Sequence, residues 1–279
     1  MKQEPNGPAL PPEVLDYYNR APEEDRVESG VSRLEFARTR EILLRDLPPP
    51  PARVLDVGGG SGPYSLWLAE QGYEAHLVEP VPRLAEEARR RSSSATRPLA
   101  SITEGYARRL SRANESVDAV LLLGPLYHLT ERKERLLALG EALRVLGPGG
   151  VIFAAGISRY ASALGGVARR LSRDPRFVKI LDRDLTDGQH RNETEELEYF
   201  TTAYFHLPGE LREEVASAGF EGVRLLGVEG PGWLLSDFEE RWGDPGLRED
   251  LLRLARLLEE AESVVGASAH LLAVGRKKK

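Results

Sequence analysis

The sequence predicts an α/β chain built on a doubly wound, mostly parallel sheet, and three observations lead there. Short apolar runs at 54–57, 75–78, 117–123 and 151–155 recur with helical patterns between them. The runs are nearly continuous rather than alternating, as expected of parallel strands covered on both faces. The first run leads straight into Gly58-Gly59-Gly60-Ser61-Gly62 and then Pro63. That is a strand entering a loop too poor in side chains to keep a ligand from its backbone, followed by a helix.

Element by element, residues 1–12 are polar and proline-rich and are expected to be disordered. From 14 to 47 the pattern is helical, with Leu34, Ile42, Leu43 and Leu47 spaced for one buried face, and Pro48 to Pro51 end it. Pro63 suits the first turn of a helix over 63–71, which Gly72 closes. A helix at 82–91 and a weaker strand at 99–103 follow. The helix at 131–146 has Thr130 as its N-cap, Leu136, Leu139, Leu143 and Leu146 on one face, and Gly147-Pro148 as its stop.

After Ala155 the rhythm breaks. Residues 157–206 carry helical patterns at 160–172 and 175–185 and an aromatic stretch containing Tyr199, Phe200, Tyr204 and Phe205. About 50 residues is too many for an ordinary connection, so the segment is predicted to be a cap over the strand ends. A helix at 208–218 and strands at 222–228 and 268–274 complete the order, separated by a helical excursion with Trp233, Phe238 and Trp242. The organisation read here is a tail and helical preface over 1–50, then one domain over 51–279 with cap insertions at about 157–206 and 230–266.

The 279 residues contain no cysteine, which excludes disulfides, thiolate metal sites and cysteine nucleophiles. A net charge of −6 argues against a large nucleic-acid footprint, and the basic end Arg276-Lys277-Lys278-Lys279 reads as a solvated tail. No apolar run nears the ~20 residues that span a bilayer, and the N-terminus has no signal-peptide character. These features predict a cytoplasmic protein, monomer or homodimer, without a membrane or nucleic-acid partner.

Glu79 ends the second strand 17 residues beyond Gly62, where a βαβ unit places a carboxylate on a ribose hydroxyl. The stretch therefore reads as a nucleoside site. The loop is G-x-G-x-G rather than the dinucleotide G-x-G-x-x-G. Asp56, two residues upstream of Gly58, would repel a pyrophosphate but suit a ligand with positive charge. That favours S-adenosylmethionine over NAD.

With these motifs the chain resembles the class I S-adenosylmethionine-dependent methyltransferases. The resemblance rests on VLDVGGGSG, HLVEP, SVDAVLLLGPLYHL and LRVLGPGGVIFAA, in order over roughly 50–156. It implies a Rossmann-like sheet of seven strands, the last antiparallel. It also implies that Gly58, Gly60 and Gly62 admit the cofactor, that Asp56 holds its amino end, and that Glu79 with Pro80 takes the ribose side. Leu123 and Gly124 would offer carbonyls to the methionine ammonium, and Tyr106 and Ala107 would contact adenine, although many members carry Asp where Tyr106 stands. A preface that folds over the cofactor would let Arg33 pair with the methionine carboxylate.

Just past the fourth strand, Tyr127 and His128 sit where open α/β sheets place ligands, so His128 is the candidate general base. His76 and His270 fall within strands and read as structural, while His190 and His206 sit in the insertion, where they either line a substrate pocket or, on the simpler reading, lie exposed. The expected chemistry is in-line methyl transfer to an O or N atom of a small-molecule acceptor, independent of metal. The alternatives are an NAD-dependent oxidoreductase and a non-catalytic module that binds the cofactor.

Overall fold

A computed structural model describes residues 10–22 and 26–279. The disorder expected of residues 1–12 lies mostly outside the described residues, although Pro12 opens a helix. The helical pattern of 14–47 forms two helices, α1 (Pro12–Arg20) and α2 (Ser32–Asp46). Pro22 holds Ala21 in an extended conformation, and Gly30, at φ +52, turns the chain back before α2.

The sheet then builds in alternation. β1 (Arg53–Val57), α3 (Pro63–Glu70), β2 (Glu74–Glu79), α4 (Pro82–Ser94) and β3 (Ser101–Glu104) come first. β4 (Val117–Leu122), the short α5 (Pro125–His128), α6 (Arg132–Val145) and β5 (Leu146–Ser158) follow. α7 (Ala161–Ala168), α8 (Pro175–Asp187), β6 (Gln189–His190) and β7 (Ala203–His206) make up the long insertion. α9 (Pro208–Ser217), β8 (Glu221–Gly227), α10 (Phe238–Gly243), α11 (Pro245–Leu258) and β9 (His270–Arg276) close the chain.

β3, β2, β1, β4 and β5 lie side by side and parallel, β9 runs antiparallel against β5, and β8 pairs antiparallel with β9. Those are the seven strands expected, but the described residues form nine. β4 accompanies β5 only as far as Ala154, and beyond it the backbone of Ile157 and Ser158 pairs with β7, which carries β6 on its other side. The extra pair satisfies strand-end groups that β4 leaves open.

Residues of the central strands alternate between two cores. Val54, Leu121 and Phe153 face α2 and α3, while Leu55, Val120 and Ile152 face α6 and α9. Both faces are buried, which is why the strand sequences run apolar without a break. Among the described residues, no helix is long and apolar enough to cross a membrane.

α6 begins without the predicted cap. Its N-cap residue is Glu131, and the Thr130 carbonyl instead accepts from the Arg135 guanidinium at 3.0 Å. Arg135 is buried, and its Nε and Nη2 donate to Glu214 of α9 at 2.8 and 2.7 Å. Its guanidinium also lies 3.8 Å from the centre of the Tyr204 ring, so one side chain joins α6, α9 and β7. Burial opposes the charge on Glu214, but hydrogen bonds from Arg135 and His206 outweigh it and bring the carboxyl down to about 2.

Glu214→Gln is expected to cost about 3–5 kcal/mol in a urea titration, because it leaves a buried guanidinium without its counter-charge. A depressed carboxyl contributes stability above its unfolded pKa and loses it as pH falls through the folded one. The wild type should therefore shed this contribution between about pH 5 and pH 2, and the variant should not.

Candidate functional site

The carboxyl ends of β1, β2, β4 and β5 open into a cavity of about 390 Å³, roofed by α1 and the insertion. Asp56, Gly58, Gly60, Glu79, Pro80, Tyr106, Ala107, Leu123 and Gly124, singled out in the sequence, all line it. Gly62 does not. At φ +83 it is the N-cap of α3 and shapes the turn from outside the cavity wall.

Two glycines of the loop serve different ends. A Cβ on Gly59 would run into the Asp56 carboxylate and come within 2.6 Å of Leu77 Cδ1, so only hydrogen fits there. The alternate-glycine spacing of the motif does not mark this residue. Gly60, at φ +61, has the opposite surroundings: a Cβ there would meet nothing within 4 Å and would project into open space. The first glycine lets the loop pack over Asp56, and the second leaves room for a ligand.

Asp56 lies between β2 and β4, in register with Leu77 and Leu121, and is 1% exposed. Its Oδ2 accepts the Ser65 hydroxyl at 2.6 Å, while the buried Oδ1 has no partner among the described residues. Burial pushes its carboxyl up to about 6, against the pull of the Ser65 hydrogen bonds. Glu79 accepts from the Val81 and Gly60 N–H groups, both at 2.8 Å. Burial pushes Glu79 up to about 7, offset in part by those bonds and reinforced by the charge of Asp56.

A ligand with hydroxyls and positive charge would complete both acids. The unpartnered Oδ1 and the space over Gly60 fit S-adenosylmethionine, which carries a ribose, an ammonium and a sulfonium. A pyrophosphate would meet two buried carboxylates.

On the other side, α5 places Tyr127 and His128 in the wall with Phe200 and Phe205. His128 is buried, and both its ring nitrogens are engaged. Nδ1 lies 3.1 Å from the Thr202 carbonyl, which can only accept, so Nδ1 carries the proton. Nε2 therefore accepts from the Tyr18 hydroxyl at 2.7 Å. Burial lowers the His128 pKa to about 4, so the ring is neutral. The nitrogen that a general base would use already holds Tyr18. The Arg83 guanidinium donates to the carbonyls of Tyr18 and Ala21 at 2.5 and 3.1 Å, tying α1 to α4 over the cavity.

Arg33 is elsewhere. It pairs with Glu239 at 2.5 Å, lies against the Phe238 and Trp242 rings, and does not line the cavity. The arginine of this region that does line it is Arg26, which donates to both oxygens of Glu35 at 2.7 and 3.1 Å. His190 and His206 are buried rather than exposed, held by Asp184 and Glu214, and of the two only His190 lines the cavity. His76 sits in β2 against Ser101, as a structural residue would.

His270 differs from the structural role expected of it. It lines the cavity at the start of β9, and its Nδ1 is 2.5 Å from Glu229 Oε1. Glu35, Glu229 and His270 are the one trio among the described residues spaced to hold a cation. Each carboxylate oxygen of the trio already accepts a hydrogen bond. Arg26 takes both of Glu35's, and Ser268 with the His270 backbone and ring takes those of Glu229.

Residues 54–150 match the family described as the methyltransferase domain. An uncharacterised methyltransferase of Mycobacterium bovis is 34% identical over 104 residues, 37% of this chain and 39% of that protein's length. A ubiquinone biosynthesis O-methyltransferase of Azorhizobium caulinodans is 28% identical over 211 residues, covering 71% of this chain and 74% of its own. The structure is similar to that of an S-adenosylmethionine-dependent methyltransferase of Thermotoga maritima described as a possible histamine N-methyltransferase. That likeness has TM-score 0.59 at 21% identity, covering 94% of this chain and 98% of the other. Family match and fold agree with the motifs: residues 54–150 match a methyltransferase domain, and the chain is similar in fold to S-adenosylmethionine-dependent methyltransferases.

The two loop glycines should separate by experiment. Gly59→Ala should lower stability by about 1–3 kcal/mol in denaturant through overpacking. Gly60→Ala has room for its methyl group, and its stability cost should be confined to about 1–2 kcal/mol of left-handed strain. By filling the open space, it should weaken S-adenosylhomocysteine binding about tenfold or more in calorimetry, a loss of at least ~1.4 kcal/mol.

Proposed function

We propose that the protein transfers a methyl group from S-adenosylmethionine to an oxygen or nitrogen atom of a small-molecule acceptor. The observation that carries this reading is one continuous cavity with two unlike ends. One end has a glycine loop and two under-satisfied buried acids, and the other is walled by Tyr127, His128, Phe200 and Phe205. The Azorhizobium relative is named for O-methylation and the Thermotoga structure for possible N-methylation. Both names support an acceptor of this size and kind.

In this reading Asp56 meets the amino end of the cofactor and Glu79 its ribose hydroxyls. Leu123 and Gly124 face the methionine portion, and Tyr106, Ala107 and Pro80 border the adenosine. When bound, S-adenosylmethionine supplies a methyl group already activated by a sulfonium. The protein's part is to hold the acceptor in line at contact distance and exclude water. Tyr127 and Phe200 give a flat apolar surface for positioning. His128, neutral and fixed by Thr202, positions Tyr18 and with it the α1 roof. The reaction is proposed to need no metal, since the one trio of described residues spaced to hold a cation, Glu35, Glu229 and His270, is already hydrogen-bonded within the protein.

Transfer of labelled methyl to an acceptor from a metabolite extract should survive EDTA. S-adenosylhomocysteine should bind with an affinity that NADH does not approach. NADH binding alone would contradict the reading, as would loss of transfer on chelation.

Asp56 and Glu79 also set a pH signature. Their raised carboxyls favour the folded protein below the unfolded pKa near 4, and that contribution is lost as pH rises through about 6 and 7. A ligand carrying positive charge should restore it. The rise in Tm on adding S-adenosylhomocysteine should therefore be larger at pH 8 than at pH 5.5, and Asp56→Asn should flatten the difference.

A further inference from the structure

Three histidines line the cavity, and their environments are not equivalent. His128 has both nitrogens in use, and so does His190, whose Nδ1 faces Asp184 and whose Nε2 lies 2.8 Å from the Tyr199 carbonyl. His270 commits only Nδ1, to Glu229, a carboxylate that is 2% exposed and can only accept. No described residue partners its Nε2. The ring is partly open to the cavity, which Trp233 also lines. Trp233 is itself fixed by a hydrogen bond from Nε1 to the Ala267 carbonyl at 3.0 Å.

We propose that His270, oriented by Glu229, is the acceptor-binding donor of the cavity, its Nε2–H receiving an anionic oxygen, carboxylate or phenolate, on an aromatic acceptor. The inference rests on the methyl-transfer reading and names the acceptor class it takes.

The charged and titratable groups around His270 keep that proton in place. Glu229 follows β8, Glu35 faces Nδ1 from α2 at 3.8 Å, and Arg26 and Tyr64 stand behind Glu35. Burial opposes the positive charge on His270, but Glu35 and Glu229 together outweigh it and raise the pKa to about 9. At neutral pH the ring is therefore a donor at Nε2 rather than a base. An acceptor that arrives ionised needs no base. A lone pair on its oxygen forms the new O–CH₃ bond, the S–CH₃ electron pair stays on sulfur as a neutral thioether, and His270 keeps its proton. The rings of Tyr64, Tyr127, Phe200, Phe205 and Trp233 supply the flat apolar walls that an aromatic acceptor requires.

The test is calorimetric titration of benzoate, 4-nitrophenolate and benzylamine into protein saturated with S-adenosylhomocysteine. At least one anion should bind, which one telling carboxylate from phenolate, and benzylamine should not. His270→Gln should keep S-adenosylhomocysteine affinity within about twofold but weaken the anion about tenfold, the scale of one charge-assisted hydrogen bond. NMR of the His270 ring should show it titrating above neutrality, and higher still with the anion bound. Equal or tighter binding of benzylamine, binding of neither anion, or unchanged anion affinity in His270→Gln would overturn the assignment. Failure of the wild type to bind S-adenosylhomocysteine would overturn the methyl-transfer reading itself and this inference with it.

Discussion

The structure depends most on the burial of two neighbouring carboxylates against a glycine backbone. Asp56 and Glu79 sit at the ends of adjacent parallel strands, each about as hidden from water as a core leucine. Burying acids is costly unless partners compensate. The partners present are Ser65 and the N–H groups of Gly60 and Val81, with one oxygen of Asp56 left over. Gly59 is the residue that lets the loop sit so close, since any side chain would collide with Asp56 and Leu77. The strand, the loop and the acids therefore form one unit in the cavity wall, with one buried carboxylate oxygen left without a partner among the described residues.

The rest of the molecule encloses that unit. Arg83 follows directly from the Glu79 strand end and clamps the end of α1. Tyr18 of α1 in turn hangs on His128, whose other nitrogen reaches Thr202 in the insertion. Preface, fourth-strand loop and insertion meet at one imidazole. Its burial keeps it neutral, which suits a hinge of hydrogen bonds better than a proton carrier. On the opposite face of the sheet, Arg135 joins α6, α9 and β7, so the insertion is anchored from below as well.

β1, β2, β4 and β5 were legible because parallel strands buried on both faces leave continuous apolar runs. The glycine loop and its acids were legible because they lie within 24 residues of one another, from 56 to 79. What was hidden is non-local or short. The β6–β7 pair has strands of two and four residues and exists only because β5 outruns β4. Arg33 was assigned to the cofactor, yet its partner Glu239 lies 206 residues away, beyond any local pattern. His270 looked structural because its strand is apolar, and the glutamates that orient it arrive from α2 and from the end of β8. Gly59 was passed over because motif spacing marks alternate glycines, whereas the steric demand comes from a side chain three residues back. His190 and His206 had a weak signal, since Asp184 and Glu214 stand close by in sequence, but only the fold turns those acids inward.

The most direct test of the central claim is a crystal structure with S-adenosylhomocysteine bound. The account predicts that the ribose hydroxyls lie on Glu79, that a polar group of the ligand or an ordered water reaches Asp56 Oδ1, and that the sulfur faces the part of the cavity walled by Tyr127, Phe200 and His270. A ligand that leaves Asp56 Oδ1 unpartnered, or whose sulfur points to solvent away from that wall, would contradict it.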